Sequence, residues 1–128
     1  LIHDASRPFI TDRVISSCIH YLNEYEAVNL SFPVIDSVTC IKNNMVDSIL
    51  DRNSIYLNQT PQSFRYKTIL KAHEKFYNIN ATDDIFLAKH MGIKVYNLKG
   101  DRNNIKITYK EDFNIAEIII NNQSREKI

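Results

Sequence analysis

The sequence predicts an α/β fold with a mostly parallel sheet and an inserted β-hairpin. Three observations carry this. Strand-like and helix-like patterns alternate along the chain, which is the signature of helices packed on a parallel sheet. Apolar residues make up 44% of 128 residues, enough for one domain's core and too many for a disordered chain. A single antiparallel pair interrupts the alternation, so it has no obvious slot in a parallel sheet.

In chain order, Leu1 and Ile2 read as the last residues of a strand leading into His3-Asp4-Ala5-Ser6-Arg7-Pro8. A strand begun midway, with no initiator Met and no signal peptide, leads to the expectation that this is the C-terminal part of a longer protein. Thr11 suits an N-cap for a helix whose Val14, Ile15, Cys18, Ile19 and Leu22 form one apolar stripe. Ala27 to Val34 reads as a buried strand. Val38 to Ile41 and Met45 to Leu50 flank Lys42-Asn43-Asn44 and read as a hairpin with an asparagine turn. Phe64 to Tyr77 is expected to be helical, with Ile69, Ala72 and Phe76 on one side. Thr82 is expected to cap the next helix, Asp83 and Asp84 to occupy its first turn, and Gly92 to end it. Ile93 to Leu98 and Asn104 to Thr108 read as strands. Thr108-Tyr109-Lys110-Glu111 has the form of a capping box before a last helix with Phe113, Ile115, Ala116 and Ile119 inward. Residues 1–121 form the domain by this reading, and 122–128 a polar tail.

Composition excludes several classes. Sixteen basic against fifteen acidic residues leave a net charge of +1, which argues against a dedicated nucleic-acid or membrane-surface binder. No apolar run approaches the roughly 20 residues of a spanning helix. Cys18 and Cys40 have no CxxC spacing and suit reduced thiols in a cytoplasmic protein. Gly92 and Gly100 are the only two glycines, so this chain holds no glycine-rich phosphate loop.

Four polar clusters fall where an α/β fold places its ligands, beyond the carboxyl ends of strands. Asp4 is either a ligand for a divalent cation or a helix cap, and Arg7 either a phosphate contact or a surface cation. Asp51-Arg52-Asn53 precedes Gln59-Thr60-Pro61-Gln62, whose amides and hydroxyl either bond a base or sugar or begin the next helix. Thr82-Asp83-Asp84 is a cap or part of a site. Lys106, between Ile105 and Ile107, points away from the side those two face, toward either a phosphate or solvent. Cys18 reads as core, and His20, His73 and His90 share no metal-ligand spacing. No nucleophile motif is present.

As an ordered set these clusters, with Pro33-Val34-Ile35-Asp36-Ser37 and Glu111-Asp112, closely resemble the second half of the methylerythritol phosphate cytidylyltransferases of the isoprenoid pathway. The resemblance runs to about Asn121. The ribitol-5-phosphate cytidylyltransferases of teichoic-acid and capsule synthesis are a sister family, and a non-catalytic dimerising remnant is a third possibility. The Asp-Asp after Thr82 and the Ile before Lys106 look more like the isoprenoid enzymes. The resemblance implies a Rossmann-like nucleotidyltransferase sheet whose N-terminal half, with the CTP loop, lies upstream. It implies Mg²⁺-assisted transfer of CMP from CTP to a sugar-alcohol phosphate, 2-C-methyl-D-erythritol 4-phosphate, with release of pyrophosphate. Asp4 would then bind Mg²⁺, and Arg7 and Lys106 would contact the acceptor phosphate or the reacting centre. Thr60 would line the site, with Thr82 and Asp83 helping to shape it. The hairpin from Asp36 to Arg52 would be an arm embracing a homodimer partner and supplying Ser37 and Arg52. Ser37 departs from the family's usual Thr but keeps the hydroxyl.

Overall fold

The structure, a computed structural model, describes residues 1–125. Helix α1 (Asp12–Tyr21) starts as expected at Thr11, whose hydroxyl accepts from the Val14 N–H. Its stripe buries Cys18 completely, while Ile19 stays exposed. Strand β1 (Ala27–Pro33) is the centre of the main sheet and is buried from Ala27 through Ser31. The hairpin follows as β2 (Thr39–Lys42) and β3 (Met45–Ile49), forming a separate two-stranded sheet. Asn43 and Asn44 both take positive φ, 50° and 61°. That is the conformation a two-residue hairpin turn demands and asparagine tolerates.

Strand β4 (Tyr56–Phe64) runs antiparallel to β1, and β5 (Val95–Lys99) runs parallel to it on the other side. The main sheet is therefore mixed, in the order β4-β1-β5. Ile2 adds one antiparallel bridge to Gln62 on the outer edge of β4. Helices α2 (Tyr66–Lys75), α3 (Asp84–His90) and α4 (Asp112–Arg125) complete the described chain.

Two apolar clusters hold these elements. Ala27, Phe64, Ile85 and Ala88 join the sheet to α2 and α3, with Ile69, Ile93 and Val95 against them. Phe9, Ala116 and Ile119 form the second, with Ile105 and Ile107 packed on it.

Several expectations need correction. Residues 104–108 form no strand; the segment has no regular secondary structure and no sheet neighbour. The stretch around Thr60-Pro61, read as a loop, is part of β4, and the register slips there between Val28 and Leu30 of β1. Helix α2 begins after Phe64, which ends β4 instead. Helix α3 is capped by Asp83, whose carboxylate accepts from Phe86 N–H, not by Thr82. It ends at Gly92 as expected, where φ is +77° and the Gly92 and Ile93 N–H groups close the last turn. At α4 the capping box is replaced by Asp112, whose Oδ2 accepts from the N–H groups of Thr108 and Tyr109. Those bonds favour the ionised form and lower the Asp112 pKa, the Tyr109 bond most. Among the described side chains of α4, Ala116 and Ile119 are buried, whereas Phe113 and Ile115 are exposed. The helix continues through Arg125, and residues 126–128 of the expected tail lie outside the described residues.

Candidate functional site

Four of the expected site residues, Asp4, Arg7, Thr60 and Lys106, converge from three separate parts of the chain. Asp4 and Arg7 sit on the turn after Ile2, where the Arg7 N–H bonds back to the Asp4 carbonyl. Thr60 lies at the register slip of β4, and its Oγ1 accepts from the Asp4 N–H at 2.9 Å. Lys106 lies on the segment before α4. Its Nζ is 3.3 Å from Asp4 Oδ2, the same oxygen that Arg7 Nε meets at 3.3 Å. Ile105 and Ile107 turn into the second apolar cluster, so Lys106 faces the other way, as the alternation predicts.

This charge arrangement sets the state of Asp4. Burial acts to raise its pKa, but the Lys106 ammonium and then the Arg7 guanidinium outweigh it and hold the carboxyl below its ordinary value. Asp4 is therefore an anion at neutral pH, suited to binding a cation and unsuited to donating a proton. His3 completes the turn. Its Nε2 lies 3.0 Å from the Arg7 carbonyl, which only accepts, so Nε2 carries the proton. Nδ1 then accepts from the Thr60 hydroxyl at 2.9 Å.

A cavity of about 340 Å³ opens over these groups, lined by Asp4, Arg7, Thr60, Thr82, Asp83 and Lys106, among others. A larger one of about 530 Å³ adjoins it and is mostly apolar, lined by Phe32, Val34, Val38, Leu57 and Ile105. Arg7, Asn58, Gln59 and Lys106 border both cavities.

Asp83 is committed to structure. Its Oδ1 caps α3, and its Oδ2 accepts from Asn58 Nδ2 at 2.9 Å and Gln62 Nε2 at 3.0 Å. The amides of Gln59 and Gln62, read as possible base or sugar contacts, are turned inward instead. Gln62 Oε1 accepts from the N–H groups of Asp84 and Ile85, and Gln59 Nε2 donates to the carbonyls of Asp101 and Asn104. Ser37 and Arg52 are exposed on the hairpin's two ends and line neither cavity; Arg52 Nη1 bonds the Ile35 carbonyl. Cys18 is core, and its burial pushes the thiol up.

Sequence reasoning missed Asn58 and Asn104. Arg7 Nη1 donates to the Asn104 carbonyl at 2.8 Å and Nη2 to the Asn58 carbonyl at 3.4 Å. Both contacts use main-chain oxygens of distant residues, for which spacing holds no signal.

Among the described residues no three His, Cys, Asp or Glu converge as a metal cage. Asp4 nevertheless has the donor chemistry for Mg²⁺, which takes one or two carboxylates and fills its shell with water and phosphate oxygens. Its Oδ2 meets the cationic side chains of Arg7 and Lys106, whereas Asp83 is tied to a helix and two amides. No described helix is long and apolar enough to cross a membrane.

Residues 1–122 match the family 2-C-methyl-D-erythritol 4-phosphate cytidylyltransferase, IspD. The protein of that description from Clostridioides difficile (strain 630) is 39% identical over 130 residues, covering 100% of this chain and 55% of its own length. The one from Roseobacter denitrificans is 40% identical over 120 residues, covering 94% and 54%. The crystal structure of 4-diphosphocytidyl-2C-methyl-D-erythritol synthase from Anaerococcus prevotii superposes with a TM-score of 0.85 at 33% identity, covering 93% of this chain and 55% of that one. The chain thus spans about half the length of the curated relatives it matches.

Proposed function

Because the chain belongs to the 2-C-methyl-D-erythritol 4-phosphate cytidylyltransferase family, we propose that it forms the C-terminal part of a cytoplasmic, homodimeric enzyme of non-mevalonate isoprenoid synthesis. That enzyme transfers CMP from CTP to 2-C-methyl-D-erythritol 4-phosphate. The observation that carries this reading is the convergence of Lys106 and Arg7 on Asp4 at the mouth of a polar cavity.

In the reaction an acceptor phosphate oxygen bonds to the α-phosphorus of CTP, and the bond from that phosphorus to the bridging oxygen breaks, releasing pyrophosphate. The attacking phosphate is already anionic, so no side chain need remove its proton. Catalysis then rests on positioning and on stabilising charge. At rest, Asp4 holds Lys106 and Arg7 over the cavity. When phosphate enters, the two cations exchange the carboxylate for phosphate oxygens, and Asp4 is released to act as a ligand. Asp4 would hold Mg²⁺ there, and the metal would supply neutralisation of phosphate charge. Thr60 fixes Asp4 through its main chain, and Asp83 fixes Asn58 and the start of α3 at the cavity wall.

The larger cavity favours methylerythritol over ribitol as the acceptor's carbon skeleton. Its apolar lining from Phe32, Val34, Val38, Leu57 and Ile105 suits the branching methyl group that ribitol lacks. A methyl in an apolar pocket discriminates by roughly 10- to 200-fold. The hairpin, with Ser37 and Arg52, reaches the acceptor site of the partner subunit.

The test is pyrophosphate release by the full-length protein given CTP and either acceptor. Turnover with 2-C-methyl-D-erythritol 4-phosphate well above that with ribitol 5-phosphate is expected. The reverse preference would move the protein to the sister activity, and silence with both would make it a non-catalytic dimerising relative. Residues 1–128 alone should release no pyrophosphate, because the glycine-rich CTP loop is absent from them.

A further inference from the structure

We propose that Asn104 is a positioning residue for this reaction, acting through Lys106; the inference rests on the cytidylyltransferase reading. Lys106 poses a structural problem. The segment that carries it has no sheet neighbour, so no ladder of main-chain bonds fixes its height or direction. Flanking bonds replace the ladder. On one side, the Ile107 N–H donates to the Ser6 carbonyl at 2.8 Å. On the other stands Asn104, only 1% exposed.

Asn104 is bonded in three ways. Its N–H donates to the Asp101 carbonyl at 3.1 Å. Its side-chain Nδ2 donates to the Thr60 carbonyl at 2.9 Å. Its own carbonyl accepts from Arg7 Nη1 and from Gln59 Nε2. One buried residue therefore ties the Lys106 segment to β4 at Thr60, the residue that also holds the Asp4 main chain. The amide orientation is forced, because its partner is a carbonyl and only the NH₂ group can donate to it.

The side-chain chemistry is specific. Asp would turn a carboxylate oxygen toward the Thr60 carbonyl, and an aliphatic residue would leave that carbonyl without its donor. A buried polar side chain is stable only where it is hydrogen-bonded. Here its bond points at the segment that Lys106 depends on. Asn104 borders the larger cavity but does not line the polar one over Asp4, where Lys106 does; its part there is to set where Lys106 stands.

The test is a double-mutant cycle in the full-length protein, comparing wild type, Asn104→Ala, Lys106→Ala and the double variant. Asn104→Ala should lower kcat by about 10- to 100-fold, the effect of displacing a catalytic group by about an ångström, with KM for CTP little changed. In the Lys106→Ala background the same substitution should cost less than about threefold, since the group it positions is gone. An equal loss in both backgrounds would mean that Asn104 acts elsewhere, and would overturn the proposal. If Asn104→Ala does not melt cooperatively, Asn104→Asp, which keeps the volume, goes through the same cycle under the same rule. Failure of both to fold would make Asn104 a residue of the fold and likewise overturn it. A second readout needs no turnover. In protein whose lysines carry ¹³C-methyl groups, the Lys106 signal, identified by its loss in Lys106→Arg, should move to the position of a solvated lysine in the Asn104 variant. An unmoved signal contradicts the proposal. Wild-type silence with both acceptors would sink the cytidylyltransferase reading while leaving this signal to judge Asn104.

Discussion

The core strand β1 and the arm strand β3 show how similar apolar content meets opposite fates. From Ala27 to Ser31 every residue of β1 is buried, between β4 and β5 and beneath the helices. Every residue of β3 is exposed, and Met45 and Ile49 are each 71% exposed. The hairpin forms because Asn43 and Asn44 supply the turn, a local cause that needs no core. A two-stranded ribbon is marginal alone, and Ile41, Met45, Val46 and Ile49 keep their surface in water. Burying such a side chain fully stabilises by about 1.5–3 kcal/mol. The difference teaches that the candidate site is assembled in the covered region, while the hairpin leaves its apolar residues in water. A second subunit is proposed here to cover them.

The largest effect should come from the covered region. In the full-length protein, Asp4→Asn keeps the shape but removes the charge that Lys106, Arg7 and a divalent cation all require. Losing metal-assisted stabilisation costs several kcal/mol, so kcat should fall at least a hundredfold with the melting temperature nearly unchanged. Retention of more than a tenth of wild-type rate, about 1.4 kcal/mol, would return Asp4 to the role of a cap, which Asn fills equally well.

Gly100 tests how tightly that region is built. A Cβ there would collide with the Gln59 carboxamide oxygen and crowd the Ser31 carbonyl, in the same contact that lets Gln59 hold Asp101 and Asn104. Gly100→Ala should destabilise by about 1–3 kcal/mol, the range for overpacking, measured by urea unfolding. An unchanged midpoint would show that Gln59 swings aside freely.

The arm should behave differently. Val46→Asp with Ile49→Asp should change the stability of an isolated subunit by less than about 0.5 kcal/mol, as exposed substitutions do. Sedimentation should nevertheless shift from dimer to monomer. A dimer that survives both charges would place the interface elsewhere.

The smallest effect is on acid stability. The folded Asp4 pKa is depressed, so its ion pairs stabilise fully above the unfolded carboxyl value of about 3.9 and are lost as pH falls through the lower folded value. Both partners are partly exposed, so the loss should be under about 1 kcal/mol. Lys106→Ala should remove part of that acid slope, read as urea midpoints at pH 5 and below pH 3.

The same contrast explains what could be read in advance. Features with local causes were legible: the Asn43-Asn44 turn, the Thr11 cap, the Gly92 terminus and the alternation that turns Lys106 away from Ile105 and Ile107. Ile105 and Ile107 share one apolar cluster and Lys106 meets Asp4, although 104–108 pairs with no strand. Strand β4 was not legible. Proline and two glutamines have no strand signature, and only the distant Asp83, Asp101 and Asn104 show why those amides are buried. At the site, Asp4, Arg7 and Lys106 could be nominated one by one, but spacing alone cannot bring Asp4 and Lys106 to 3.3 Å. Their order along the chain pointed to a family; their meeting is a property of the fold. Helix α4 misled because Phe113 and Ile115 are as apolar as Ala116 and Ile119, and only packing decides which side is covered.

The claim that the covered region and the exposed arm serve one site in two subunits is tested most directly by mixing inactive proteins. Full-length Arg52→Ala subunits are combined with Asp4→Asn subunits, and pyrophosphate release is measured on the purified heterodimer. If each site draws Asp4 from one chain and Arg52 from the other, one site carries both lesions and the other carries neither. The heterodimer should then recover up to half of wild-type activity. No recovery in heterodimers shown to form would place Arg52 in its own subunit's site and contradict the account.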